Sequence, residues 1–411
     1  MHFDSIIASQ NDINIFQTDS RILIKKRMIK FMSNNWKSPI KYSIEGSLNS
    51  RVIKAAIKNI ERETCLEFEK VEKLSDTEEG IKFVKQNQCS SSLGKNNGTI
   101  NTINLTISCS EFLGVVQHEI GHALGLIHKH QRDDRGNYVS IQKTNIINGY
   151  SDQFDDYDGN VLFNSLNITY EYGSAMHYER IAYSTNGKPT IVVKNIDAFN
   201  RMIGQNDGFT FSDYKLINLK HCKDTCYDKL DCKNGGYLNS KSCFYCICPR
   251  GYDGNKCQYF KPFIQNCINN TLAAEKNPKL LYAEGQKKCN YHIKSSNGTK
   301  IVLILHESNT HNRTICSSNY GLEIKYFKDK GLTGLCLCGL YKNIKITSEE
   351  NEAYLEYHGS KPNHYFYLSY LEIVENYTIK SQLCQNNHCY DIKHDKQPSL
   401  NDLIAKLLNQ G

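Results

Sequence analysis

The chain has 411 residues, 39% hydrophobic and 23% charged, with a formal net charge of +7, which is enough for a sizeable core and smaller modules beside it. The positive charge is dispersed and the one compact basic run, Lys25-Lys26-Arg27, is short, so a nucleic-acid surface is not expected. No apolar run approaches the roughly 18 to 20 residues of a membrane span.

The start, "MHFDSIIASQ", lacks the basic and long apolar regions of a secretory signal. Against this stand seventeen cysteines in framework-like spacings and Asn-x-Ser/Thr sequons at Asn97, Asn104, Asn167, Asn269, Asn297, Asn312 and Asn376, which point to the secretory route. The cysteines weigh more, and the sequence is expected to lack a first segment or to begin at an internal start. The basic run reads as a solvated patch or as a processing site. After it come Trp36 and the strand-like "IKYSI".

In "EFLGVVQHEIGHALGL" a helical period puts Leu113, Val116, Ile120 and Ala123 on one face and His118 with His122 on the other. Histidines four apart offer two imidazoles one turn apart, the bite that Zn²⁺ takes. Gly125 can adopt positive φ at the helix end, so that His128 turns back toward the same ion. Three histidines leave a position open for water, the catalytic arrangement, and Glu119 is placed to take a proton from that water. A closed structural site, with His130 as fourth ligand, is the alternative. Further on, Gly173–Tyr178 of "YEYGSAMHYER" reads as a tight turn carrying Met176.

The cysteines mark the organisation. Residues 28 to 222 hold only Cys65, Cys89, Cys109 and Cys222, whereas 226 to 257 is a dense cluster, which sets a boundary near Thr225. A zinc knuckle is the poorer reading of the cluster, since Cys243-x-x-Cys246-x-Cys248 has no second pair at metal spacing. Beyond Cys257, runs such as "TKIVLIL", "YGLEIKYF", "EAYLEYH" and "HYFYLSYLEIV" alternate between turn residues and predict an all-β module. The tail carries Cys384, Cys389 and a short amphipathic helix opened by Ser399 with Asp402.

Together, "HEIGHALGLIHKHQRDDRGNYV" and the turn "GSAMHY" resemble the astacin family of metzincin zinc endopeptidases, over about residues 30 to 223. The resemblance implies an α+β metzincin-type protease domain, a twisted sheet plus the active-site helix. It makes His118, His122, His128 and Tyr178 ligands of one Zn²⁺, Glu119 the general base, Met176 the Met-turn residue and Tyr178 also the stabiliser of the oxyanion. It also implies the disulfides Cys65–Cys222 and Cys89–Cys109. "NIFQTDSRIL" is similar to the segment with which astacin propeptides cap the zinc, with Thr18 at a glycine position. Asp19 is then the capping ligand of a latent precursor opened after Arg27, the alternative being an unstructured leader. One departure matters: the family's glutamate after the third histidine, which anchors the buried amino terminus of the mature enzyme, is Lys129 here.

"CICPRGYDGNKC" resembles an EGF-like module, implying the pairs Cys226–Cys243, Cys232–Cys246 and Cys248–Cys257. The remainder resembles a CUB domain, an all-β sandwich with Cys267–Cys289 and Cys316–Cys338. Tyr320 stands where an aspartate is expected for calcium, so calcium is not expected there. The organisation expected is a propeptide-like segment (1–27), the protease domain (28–223), the EGF-like module (224–258), the CUB-like domain (265–376) and a tail (377–411) with Cys384–Cys389. This order resembles nematode astacins that process cuticle or attack extracellular matrix. A secreted zinc endopeptidase with protein substrates is therefore expected, with a protein partner through the CUB-like domain, no nucleic acid and no membrane span. An adamalysin-type protease is disfavoured by Tyr178 and the downstream modules. The competing class is an inactive protease scaffold that binds partners through its EGF-like and CUB modules. These pairings consume sixteen cysteines and leave one. Cys338 precedes Gly339, as in CUB domains, so Cys336 is expected to be unpaired, buried or linking two chains.

Overall fold

The computed structural model of the protein describes residues 4–7, 35–156, 168–227, 230–261, 267, 270–374, 382–385 and 388–391. Asp19, the basic run before Met28 and the Ser399–Asp402 helix lie outside these residues. The described chain divides into two compact units. One comprises residues up to Lys261 together with Arg313–Lys325 and Asp329–Leu337, and the other holds the remainder.

The first unit is built on six strands: β1 (Asp4–Ile7), β2 (Ile40–Ile44), β3 (Phe68–Lys70), β4 (Ile81–Lys85), β5 (Cys89–Ser92) and β6 (Asn101–Leu105), in the order β1-β5-β6-β4-β2-β3. β3, β2, β4 and β6 are mutually parallel, β5 runs antiparallel to β6, and β1 lies parallel to β5. Helix α1 (Ser50–Glu63) starts where the Asn49 side-chain oxygen Oδ1 accepts the Arg51 and Val52 amides, each at 3.2 Å, satisfying donors that a first turn leaves open. Its Ile53, Ala56, Ile57 and Ile60 recur at helical spacing and are buried with Ile40, Ile81, Phe83 and Ile103 of the sheet. Each such isoleucine gains about 1.5–3 kcal/mol from burial, so a lysine at Ile53 would break this contact.

The short helix α2 (Ile107–Ser110) is capped by Thr106 and leads into α3 (Leu113–Ala123). The helical pattern begins on paper at Glu111, but α3 begins at Leu113 because the amides of Glu111 and Phe112 close the end of α2. Val116, Ile120 and Ala123 face the core, and the Trp36 indole donates to the Ala123 carbonyl at 2.8 Å. The pair β7 (Val139–Ile141) and β8 (Ile191–Val193) precedes α4 (Phe211–His221). Disulfides Cys65–Cys222 and Cys89–Cys109 tie α1 to α4 and β5 to α2.

In the cysteine-rich stretch, β9 (Tyr237–Leu238) pairs with β10 (Cys246–Ile247), and β11 (Tyr252–Asp253) with β12 (Tyr259–Phe260). With so little apolar surface, the disulfides Cys226–Cys243, Cys232–Cys246 and Cys248–Cys257 supply the constraint, around a small core of Tyr252, Cys246 and Cys257. The second unit is all β. Strands β13 (Thr271–Ala273), β15 (Lys288–Lys294) and β20 (Glu352–His358) pair in one sheet. Strands β14 (Lys279–Glu284), β21 (Tyr365–Ile373), β16 (Lys300–Asn309) and β19 (Leu340–Thr347) form the other, in that order. β16 buries Ile301–Leu303 and Leu305, β21 buries the continuous run Phe366–Leu371, and Cys267–Cys289 closes one end. In β22 (Gln382–Gln385) and β23 (His388–Asp391) the register sets Cys384 opposite Cys389.

The antiparallel pair β17 (Gly321–Lys325) and β18 (Leu335–Leu337) belongs to the first unit, although it comes from the CUB-like stretch. Cys316 and Cys338 are both disulfide-bonded. Cys336 is unpaired and buried, its amide donating to the Met202 sulfur at 3.2 Å.

Candidate metal centre

α3 carries His118, Glu119 and His122 on one side. Three residues beyond Gly125 the chain brings in His128. Gly125 has φ +92°, and its amide and that of Leu126 close the helix on the His122 and Gly121 carbonyls at 2.7 and 2.8 Å, a left-handed cap that a side chain would strain. The His128 Nε2 lies 3.3 Å from that of His118 and 3.1 Å from that of His122. His122, His128 and Glu119 are buried and His118 is half-buried.

The three rings are oriented through their other nitrogens. Nδ1 of His118 donates to the Ala175 carbonyl at 2.7 Å, Nδ1 of His122 to the Leu126 carbonyl at 2.8 Å and Nδ1 of His128 to the Gln131 side-chain oxygen at 3.1 Å. Each imidazole is thereby set as the tautomer whose Nε2 carries a lone pair. Three lone pairs aimed at one point repel unless a cation lies between them, and three imidazoles suit Zn²⁺. The residues therefore fit the ion. Among the described residues this is the only group of His, Cys, Asp or Glu with ligand atoms close enough to hold a metal. His130 is outside it: its ring stacks on Tyr178 at 4.2 Å and its Nε2 meets the Gln153 carbonyl at 3.0 Å.

The turn at Met176 lies under the triad. A Cβ on Gly121 would sit 2.8 Å from the Met176 sulfur, so a glycine between the two helix histidines is what admits this methionine. The Lys129 amide donates to the Met176 carbonyl at 2.8 Å. Tyr178 is buried with its ring 4.3 Å from that of His128. His177, neutral because burial lowers its pKa to about 4, donates from Nδ1 to the Tyr178 carbonyl and accepts the Tyr170 hydroxyl, both at 2.7 Å.

Below the turn is a charged layer of which the sequence reading reached only Lys129. Asp213 accepts the Ser174 hydroxyl at 2.6 Å and the Ala175 and Thr210 amides at 3.1 Å each. Lys129 is buried beside it, and burial lowers the lysine's pKa while the Asp213 charge raises it. Glu171 accepts the Gly173 amide at 3.0 Å and the Ser212 hydroxyl and Thr333 amide at 2.9 Å each. Burial raises its pKa to about 7. The sequence signal for Asp213 was present, Thr210-x-x-Asp213 being a capping box at the start of α4, but that pattern reads as a helix end and nothing more. A cavity of about 270 Å³ opens beside His118, Glu119 and Tyr178 and includes Val115, Ala175 and Ile315 in its wall.

The astacin peptidase family matches residues 28–222. This segment belongs to the astacin family. The chain is 34% identical over 339 residues to zinc metalloproteinase nas-34 of Caenorhabditis elegans, covering 82% of this chain and 55% of that protein. With zinc metalloproteinase nas-23 of the same organism it shares 32% over 371 residues, covering 85% and 66%. The chain thus spans about half to two thirds of the length of these curated relatives. Among solved structures, the high choriolytic enzyme 1 of medaka, Oryzias latipes, a hatching-enzyme zinc protease, is similar over 46% of this chain and 94% of that one, at 31% identity and a TM-score of 0.41. The zinc expected at the three histidines is the metal of the astacin family, and the structure brings those histidines, Glu119, Met176 and Tyr178 of this astacin domain together at one place.

Proposed function

We propose that the protein is a secreted zinc endopeptidase, made as a latent precursor, that hydrolyses internal peptide bonds of extracellular proteins. The observation that carries the reading is the convergence of three Nε2 atoms with Glu119 buried on the same helix turn. Zinc bound there supplies Lewis acidity, lowering the pKa of water toward about 7 and polarising the scissile carbonyl. The Glu119 carboxylate takes the proton of the attacking water and returns it to the leaving nitrogen. The Tyr178 hydroxyl donates to the carbonyl oxygen as it gains charge. Ala175, Leu126 and Gln131 hold the three imidazoles, so these groups need not reorganise during reaction.

An extended substrate adds as a strand to a sheet edge. β5 offers that edge next to α3, where the Gly94 amide donates to the His122 carbonyl at 2.8 Å. β1, from the leading segment, lies along β5, which supports latency: a segment paired there excludes substrate until cleavage after Arg27 removes it. Asp19 is assigned as the carboxylate that caps the metal in the precursor. The disulfides support an oxidising compartment, and among the described residues no helix is long and apolar enough to cross a membrane. The substrate class we assign, matrix or cuticle protein, rests on the resemblance to nematode astacins.

The test is Glu119→Gln. The variant keeps zinc at the parental stoichiometry, and casein or gelatin cleavage falls by several orders of magnitude. A zinc-loaded parent that cleaves neither substrate after removal of residues 1 to 27 would leave the binding-scaffold reading in its place.

A further inference from the structure

The cavity beside Glu119 lies within the first unit, but one of its walls does not come from the astacin domain. Ile315 lines it together with Val115, Ala175 and Ala182. Ile315 is half-buried and sits in Arg313–Lys325, the segment from the CUB-like stretch that belongs to this unit.

The chain on both sides of Ile315 is fastened. Arg313 makes a two-pronged ion pair with Asp207, at 3.0 and 3.1 Å, and its guanidinium stacks over Tyr320 at 3.9 Å. The Cys316 amide donates to the Arg201 carbonyl at 2.6 Å, Arg201 donates to the Arg313 carbonyl, and the Ser317 hydroxyl donates to Asp207. Asp207 directly follows Asn206, itself a lining residue of the cavity. A bidentate pair with flanking backbone bonds fixes a position far better than a single exposed salt bridge does. A half-buried apolar side chain held by such a frame stands in the wall of the cavity that contains Glu119. It shapes the cavity.

We infer that Ile315 is a specificity-determining residue, the wall that sets how large a substrate side chain next to the scissile bond can be. The inference rests on the proteolytic reading and deepens it. Val115, Ala175, Ala182 and Ile315 together select an aliphatic side chain, and Ile315 closes the space that an aromatic ring would need. A pocket of this kind discriminates by about tenfold or more for each methylene-sized change.

The experiment is a cleavage-site profile of the chain activated by removal of residues 1 to 27, with all downstream modules kept, on a peptide mixture, with kcat/KM measured for matched peptides carrying Leu or Phe at the affected position. In the parent, Leu is preferred. Ile315→Ala shifts the Phe-to-Leu ratio by about tenfold toward Phe, and Ile315→Trp shifts it the other way. Asp207→Ala, which frees the segment and keeps Ile315, reproduces the Ile315→Ala shift, an effect that general loss of stability would not have. Active Ile315→Ala and Ile315→Trp proteins with the parental profile at every position would overturn the inference and leave the proteolytic reading standing. A zinc-loaded parent that cleaves nothing after removal of residues 1 to 27 would overturn the reading, and the inference with it.

Discussion

The Lys129 Nζ lies 3.4 Å from the Asp213 Oδ1, and both side chains are closed to solvent. The position that in astacins holds a glutamate for the incoming amino terminus here holds an ammonium already matched to a carboxylate of α4. A second ammonium has nothing to gain at residue 129. Trimming a few residues beyond Met28 is therefore expected to leave peptidase activity within about twofold, whereas Lys129→Ala strands a buried carboxylate and costs about 3–5 kcal/mol. Peptidase rates of the trimmed forms and urea midpoints of Lys129→Ala check the two halves. A trimmed form that loses most of its activity would contradict the first.

Tyr178→Phe removes the hydroxyl and keeps the ring between His128 and His130. If that hydroxyl acts on the developing oxyanion, kcat falls by about 10²–10³ with KM little changed. A change confined to KM would assign Tyr178 to substrate binding alone.

Gly121→Ala drives a methyl group to 2.8 Å from the Met176 sulfur. Overpacking of this kind costs about 1–3 kcal/mol. Combining it with Met176→Ala, which removes the obstructing sulfur, should cost less than the sum of the single changes. A double-mutant cycle by urea unfolding, showing strict additivity, would refute the contact.

Glu171 holds its proton to about pH 7 in the folded protein, whereas an exposed glutamate loses it near 4.3. Between these values the folded state binds more protons than the unfolded one, so stability declines as pH rises from about 4.3 through 7. The whole effect is at most about 4 kcal/mol. Glu171→Gln removes this slope, and the difference between parent and variant urea midpoints, followed from pH 5 to 7.5, isolates it. Parallel curves would show that Glu171 does not titrate in this range.

What the sequence makes legible is local. His118, Glu119 and His122 share a helix face by their spacing alone, and Gly125 marks its own positive φ because few other residues tolerate it. The strands at "IKYSI", "KIVLIL" and "EAYLEYH" follow from β-branched and aromatic runs bounded by turn residues. The layer beneath the triad is not legible in this way. Asp213, Glu171 and Thr333 come from distant segments, and each carries out a task that short-range patterns describe otherwise, as a helix cap, a loop acid or a turn. Ile315 is less legible still, since nothing in "NRTICSS" says that a segment of the β-rich stretch belongs beside the cavity.

The carboxylate that closes the first turn of α4 is also the one that pins Ser174 and Ala175, and the Ala175 carbonyl in turn orients His118. Fraying at the start of α4 is therefore expected to disorganise the triad as well. In hydrogen exchange, the amides of Thr210 and Ala175 should open together, with one shared protection factor, and metal binding should slow both, although neither residue touches the ion. The helix end acts as a reporter of the metal centre, and a substitution that merely weakens a cap would be measured as a loss of zinc.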